Sequence, residues 1–163
     1  MLKFALPVVL MLLVPCLAGA NHLNNVAHQT VSFQVSPIEE LSVSGNPGLI
    51  HVVTASAGQD PTDVDDSSTT YTLTTNEADC AITAKLDSAM PTGMELMVDL
   101  AAPTGAMSLG FVALSTSDQN VVTGISSLIA SGKGITYRCC ADASAGTIAQ
   151  TSRTVTLTLL GER

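Results

Sequence analysis

Short runs in which apolar and polar residues alternate recur along most of this chain, and the clearest lies near its C-terminus. Within residues 151–160, Val155, Leu157 and Leu159 alternate with threonines. A period of two residues places apolar side chains on one face of a β-strand and polar ones on the other. Threonine and valine also favour the half-buried surface of a sheet. The stretch therefore predicts a strand with one face against a core and one in water.

The same alternation predicts about nine or ten short strands, separated by turn signals at the spacing typical of β-sandwiches and barrels. Helical periodicity is confined to at most one turn, at residues 127–130, and residues 69–86 are expected to form a hairpin. These patterns predict an all-β chain folded as a single antiparallel β-sandwich, either Ig-like or jelly-roll-like. The predicted strands are residues 30–35, 38–43, 49–54, 69–75, 81–86, 94–100, 109–115, 120–125, 135–140 and 151–160.

The first 20 residues have a different pattern. A basic start at Lys3 precedes an almost wholly apolar run to Leu17, and the small residues Ala18-Gly-Ala20 follow. This order is typical of a secretory signal peptide, here residues 1–20. The apolar run is shorter than the roughly 20 residues that a membrane-spanning helix needs, so no membrane span is expected after cleavage. The predicted localisation is secreted, periplasmic or cell-surface.

The rest of the chain has the size of one domain. Residues 21–29 have no periodicity and predict a flexible N-terminal arm, and residues 30–163 are assigned to the sandwich. Loss of Lys3 with the signal would leave five of the six basic residues against 14 acidic ones, moving the formal charge from −8 to −9. Such a surface repels phosphate backbones, so nucleic acid is not an expected partner.

Three cysteines lie beyond the signal: Cys80, Cys139 and Cys140. Export favours oxidation, so at least one disulfide is expected. Adjacent cysteines rarely bond to each other, which leaves Cys80 to pair with one of the other two. Strand phase favours Cys139, because it shares a predicted face with Ile135 and Tyr137. Cys140 is then either a free thiol or one that forms an intermolecular disulfide.

An aspartate-rich segment is the best candidate for a metal site. Calcium takes six to eight oxygen ligands, which a flexible acidic loop can supply. The spacing lacks the central glycine and the final glutamate of an EF-hand loop, and a solvated acidic turn is the alternative interpretation. The candidate ligands are Asp60, Asp63, Asp65 and Asp66, and no other cofactor is predicted.

The residue pattern favours a protein that is not an enzyme. The sequence contains no Gly-x-Ser-x-Gly motif for a nucleophilic serine. Glu39 and Glu40 are adjacent and would point to opposite faces of a strand. Glu95 and Asp99 share a face, but four residues of extended chain separate them by about 13 Å, more than a glycosidase carboxylate pair needs.

Strands with few lysines are poorly protected against pairing at a sheet edge. Addition of a strand from one subunit to the sheet of another is therefore a natural mode of association for this chain. Residues 30–35, together with the arm before them, are suited to be such a donated strand. The pattern nonetheless favours a place for this strand in its own sheet.

Four segments resemble those of secreted bacterial β-sandwich surface proteins, similar to spore-coat-U-like, WxL-like and fimbria-like proteins. The tryptophan motif that gives the WxL proteins their name is absent, since the chain has no tryptophan. The resemblance implies an exported structural or adhesive role with no catalytic residues. The segments are Thr69-Thr-Tyr-Thr-Leu-Thr-Thr-Asn-Glu, Ile82-Thr-Ala-Lys-Leu-Asp, Met94-Glu-Leu-Met-Val-Asp-Leu-Ala-Ala-Pro and Arg153-Thr-Val-Thr-Leu-Thr-Leu.

Two functions are expected from these features. The first is a non-catalytic structural or adhesive subunit of a bacterial surface, appendage or extracellular matrix, associating with itself or with other surface proteins through sheet edges. The second is a secreted monomeric binding module that uses loops 55–67 and 126–134 for a protein or carbohydrate ligand. The small number of aromatic residues argues against a sugar ligand, because sugars are commonly bound by stacking on aromatic rings.

Overall fold

A computed structural model describes the chain from Val26 to Gly161. The predicted signal peptide, residues 1–20, lies outside the described residues. The chain divides into two units, residues 1–34 and 35–163. In the first unit, residues 26–34 contain no helix or strand and have exposed side chains.

The second unit is built almost wholly of β-strands, which confirms the all-β prediction. Within residues 35–161 the one helical element is a 3-10 turn at Ala143–Ala145. Nine strands form two antiparallel sheets, a five-stranded sheet in the order β1-β2-β8-β4-β6 and a four-stranded sheet in the order β5-β7-β3-β9. The strands are β1 (Glu39–Val43), β2 (Val64–Thr75), β3 (Cys80–Leu86), β4 (Met94–Leu100), β5 (Met107–Ser108), β6 (Val112–Ala113), β7 (Gln119–Ile125), β8 (Leu128–Ala141) and β9 (Val155–Leu160).

One hydrophobic core lies between the two sheets. Tyr71 on β2 and Leu100 on β4 come from the five-stranded sheet, and Ile82 on β3 and Ile125 on β7 come from the four-stranded sheet; all four are fully buried. Within the strand predicted at residues 94–100, Val98 and Leu100 lie in the core and Leu96 packs against it. The sandwich architecture therefore follows from the alternation of these strands.

Tyr71 is the largest fully buried side chain. Its hydroxyl donates a 2.7 Å hydrogen bond to the carbonyl oxygen of Ala101, so the one polar atom of the side chain is satisfied. Burial raises the pKa of Tyr71 to about 12. This bond ties the segment after β4 to the inner face of β2.

The predicted hairpin at residues 69–86 is wrong. β2 pairs with β1 and β8, whereas β3 pairs with β7 and β9 in the other sheet. The four residues between them, with Asp79 at a φ of 54°, carry the chain from one sheet to the other. From β2 to β9, every successive strand changes sheet, so only β1 and β2 are both consecutive and hydrogen-bonded.

Two predicted strands are absent. Residues 30–35 and 49–54 are not part of any strand, and Val31, Phe33, Leu49 and Val53 are exposed. The alternating pattern is present in both segments, but alternation reports only the polarity of the two faces and does not supply a partner strand. Neither segment belongs to a ladder.

Other boundaries also differ, and β2 begins at Val64 and β9 at Val155 where residues 69 and 151 were predicted. The predicted loop at residues 126–134 is mostly strand, since β8 begins at Leu128 and runs for 14 residues. The same finding excludes the helical turn predicted at 127–130. Gly132, at a φ of 61°, lies beside the irregular register between β2 and β8, and this glycine is the signal that was interpreted as a loop. Of the strand predicted at 109–115, only the two residues of β6 remain.

Candidate functional site

The four aspartates predicted as calcium ligands each lie in a different setting. Asp60 accepts a hydrogen bond from the backbone N–H of Ala143 at 2.9 Å. Asp65 and Asp66 are adjacent in β2, so strand alternation points them to opposite faces. Asp66 accepts bonds from the backbone N–H and the hydroxyl of Ser68, and these bonds hold its pKa below the ordinary value.

The structure does not bring these carboxylates together. Within residues 26–161, no three His, Cys, Asp or Glu side chains are placed so that they could share a metal ion. Part of the predicted loop, from Val64 onward, is the start of β2. The described geometry therefore offers no set of three carboxylates for calcium, and the calcium site stays a prediction from spacing.

Arg138 organises the polar surface beside this segment. Its Nε and Nη2 atoms donate to the two carboxylate oxygens of Asp65, both at 2.7 Å, across the β2–β8 ladder. Its guanidinium also lies over the ring of Phe111, 3.9 Å from the centroid. The hydrogen bond from Arg138 lowers the pKa of Asp65. The sequence signal for this contact was an outward-phase arginine in a chain with only six basic residues.

Cys80 and Cys139 are both buried, as their strand phase predicted, but the disulfide between them is not formed. Cys80 lies 3.5 Å from the hydroxyl of Thr75, at one end of β2. Cys139 is paired with Val64, at the other end of the same strand. Eleven residues of strand rise separate these ends by roughly 35 Å. A disulfide requires Cα atoms within about 7 Å, so this fold corrects the predicted pairing.

Cys140 is a free, half-buried thiol on the opposite face of β8 from Cys139. Burial, a hydrogen bond with Asp63, and the nearby charges of Asp63 and Glu95 raise the pKa of Cys140 to about 11. Arg138 has the opposite, smaller effect on this pKa. The thiolate is the reactive form, so this environment suppresses the chemistry of Cys140.

We expect Cys140 to react with a disulfide reagent at least tenfold more slowly at pH 8 than an ordinary exposed thiol. At a pKa of about 11 the thiolate fraction is about one in a thousand, and the greater nucleophilicity of a more basic thiolate offsets only part of that deficit. Stopped-flow measurements with Ellman's reagent across pH 7 to about 11 measure the rate.

Replacement of Asp63 by Asn keeps the size of the side chain and removes its charge. The Asp63→Asn variant should therefore react faster at the same pH. The inflection in its curve of reaction rate against pH should lie at lower pH than in the unmodified protein. An inflection of the rate near pH 8.5, the ordinary pKa of a cysteine, in the unmodified protein would contradict this description of the site.

The two loops predicted to bind a ligand do not converge. The segment before Val64 lies at the end of the β2–β8 ladder where Val64 faces Cys139. The segment around residues 126–127 lies at the other end, where Thr75 faces Leu128. The length of β2 separates them, so they do not line one pocket.

The sheet edges are the remaining candidate for a functional surface. β5 and β6, at one side of the sandwich, have only two residues each. β1 is longer but carries Glu39 and Glu40. β9 has six residues, none of them charged, and its ladder is formed with β3 alone. Among the described residues, no other backbone group bonds to residues 155–160.

Comparison with protein-family models, with curated proteins and with solved structures finds no match to this chain. Among the described residues there is no helix of the length and hydrophobicity needed to cross a membrane. The fold and the edges are therefore the basis for a functional proposal.

Proposed function

We propose that this chain is an exported, non-catalytic structural or adhesive subunit of a bacterial surface, appendage or extracellular matrix, and that its copies associate through sheet edges. The observation that carries the proposal is the edge of β9, which is six residues long, uncharged and unpaired on its outer side within residues 26–161. Soluble monomers usually protect such an edge with lysine, proline or a bulge. β9 has none of these.

The sandwich is complete before any association. β9 supplies the fourth strand of its sheet, and Val155, Leu157 and Leu159 pack against the core. A neighbouring molecule is therefore not needed to close the domain. Association would extend the sheet of a folded domain by main-chain hydrogen bonds, which depend little on side-chain identity.

The charge of the chain is consistent with this role. With a formal charge of −8, copies repel one another at long range, so contact requires a short-range interaction such as a strand ladder. Screening by salt weakens this repulsion, because the Debye length falls to about 8 Å at physiological ionic strength. We therefore expect salt to favour association. Export is supported by the pattern of residues 1–20.

The Thr156→Asp variant tests the β9 edge. Thr156 is exposed on β9, and its cross-strand neighbour is Lys85, which offers the new carboxylate a favourable partner in the monomer. A charge at the edge opposes strand addition, so the variant should stay monomeric where the unmodified protein assembles. Light scattering over a concentration series, with and without reductant, measures the difference.

The matched control is Thr72→Asp, which makes the same substitution at an exposed position of β2. β2 has a partner on each side, so it offers no edge. This control should assemble like the unmodified protein, and reductant should change neither result. An unmodified protein that stays monomeric at every concentration would refute the proposed function.

A further inference from the structure

Residues 30–35 form a strand-like segment that is outside every strand of the structure. Val31, Phe33 and Val35 alternate with Thr30, Ser32 and Gln34, yet the three apolar side chains are 71, 93 and 76% exposed. None of residues 26–38 belongs to a strand. Three large, mostly exposed apolar side chains within five residues are an apolar surface that points to a partner.

The end of this segment is held in place. The side-chain amide of Asn76 donates to the carbonyl oxygen of Ser36 at 2.9 Å and accepts from the N–H of Ile38 at 2.7 Å. Pro37, between these two contacts, has no N–H to donate to a ladder. β1 and the segment before it are therefore separate elements, and Asn76 fixes the point at which the segment ends.

The β9 edge has the complementary features. Residues 155–160 match the segment in length, carry no charge, and leave their outer backbone groups without a partner among the described residues. Val155 and Leu157, on the inner face, are only partly buried, so the core is incompletely covered along this strand. An added strand with an apolar inner face would cover them.

The other edges are less suitable. β5 and β6 pair over only two residues each. β1 carries two glutamates and lies close to the end of β9, where Glu39 accepts a hydrogen bond from the N–H of Gly161 at 2.9 Å. The backbone of residues 155–160 itself has no hydrogen bond to β1. Only β9 combines the length with the absence of charge.

We propose that residues 30–35 of one copy add as a strand to the outer edge of β9 in a second copy, with Val31, Phe33 and Val35 directed over Val155 and Leu157. This inference rests on the proposed function, because it names the element that occupies the edge. The four-stranded sheet of each acceptor would gain a fifth strand. Since each copy has one such segment and one such edge, the contact is head-to-tail and generates a ring or a filament.

The test compares two variants of the full chain in the same segment. Phe33→Asp places a charge on the apolar face, and Ser32→Asp places the same charge on the polar face. Sedimentation velocity over a concentration series should show that Ser32→Asp assembles like the unmodified protein. Phe33→Asp should weaken assembly at least tenfold. Both should melt at the temperature of the unmodified monomer, since both positions are exposed.

Hydrogen exchange identifies the edge that is occupied. In the unmodified protein, amides of residues 155–160 should become at least tenfold more protected as concentration rises. Protection confined to β1 would overturn the choice of edge. Protection that does not depend on concentration but is lost in Phe33→Asp would mean that the segment pairs within its own chain, which overturns the intermolecular contact.

The outcomes separate this inference from the proposed function. If Phe33→Asp assembles normally while Thr156→Asp does not, association through β9 stands and the role of residues 30–35 fails. If the unmodified protein never assembles, the proposed function and this inference fail together.

Discussion

A chain that ends at Gln150 should not form the sandwich at all. The truncation removes β9, whose six residues pair with six of the seven residues of β3, from Ala81 to Leu86. It also removes Val155, Leu157 and Leu159 from the core and leaves β3 as a bare edge strand. Far-UV circular dichroism and thermal unfolding of the truncated chain should show no cooperative transition.

We expect a complete loss of cooperative folding because β9 is an integral strand of its sheet. β3 has only two neighbours, β7 and β9, and its pairing with β7 is interrupted by two register shifts. The Thr156→Asp variant, which alters the same strand without removing it, should retain the cooperative transition. A truncated protein that is soluble and resists proteolysis would contradict this view of β9.

Replacement of Ile82 by Ala should lower the free energy of unfolding by about 2–5 kcal/mol, because the cavity falls in a fully packed interior. Ile82 is 0% exposed and lies in the middle of β3, between both neighbouring strands. Urea denaturation, followed by circular dichroism, measures the change. The loss approaches the entire stability of a typical small domain.

The same substitution at Ile129 is the matched control. Ile129 is 80% exposed on β8, so Ile129→Ala should change the free energy of unfolding by no more than about 0.5 kcal/mol. Equal effects at the two positions would mean that residues 82 and 129 are not on the inner and outer faces that the sandwich assigns to them.

Alternation predicted individual strands well where one face packs against the core and the other faces water. The strands at Met94–Leu100 and Gln119–Ile125 agree closely with expectation, and in the closing strand the inward phase of Val155, Leu157 and Leu159 is confirmed. Periodicity depends on each residue's own surroundings, so it reports which face is buried. It contains no information about the neighbouring strand.

Strand pairing was beyond sequence reasoning for this reason. A short polar turn such as residues 76–79 fits a hairpin as well as a passage between sheets, and here it is a passage. Most ladders join distant segments, as when β3 pairs with β9. Such non-local pairing has no local signal, and it also predicts slow folding.

The candidate sites could not be predicted for the same reason, because they depend on which strands are neighbours. Cys80 and Cys139 have the buried phase that was expected, but their positions along the sheet are far apart. The four aspartates are close in sequence, but only Asp65 and Asp66 lie in β2, where alternation directs them to opposite faces. The contacts of Arg138 with Asp65 and Phe111 have no local sequence signal, because both partners come from segments remote in sequence.

Residues 30–35 show a further limit of periodicity, because the alternating pattern is present and the predicted strand is not. The alternation of Val31, Phe33 and Val35 describes a strand, and the described chain offers it no ladder. The proposed association rests on two elements, this unpaired segment and the uncharged edge of β9.

Negative-stain electron microscopy of the purified, unmodified protein at increasing concentration tests the central claim most directly. If folded sandwiches associate through their edges, the images should show filaments or rings with a repeat of one domain. Single particles of domain size at every concentration would contradict it.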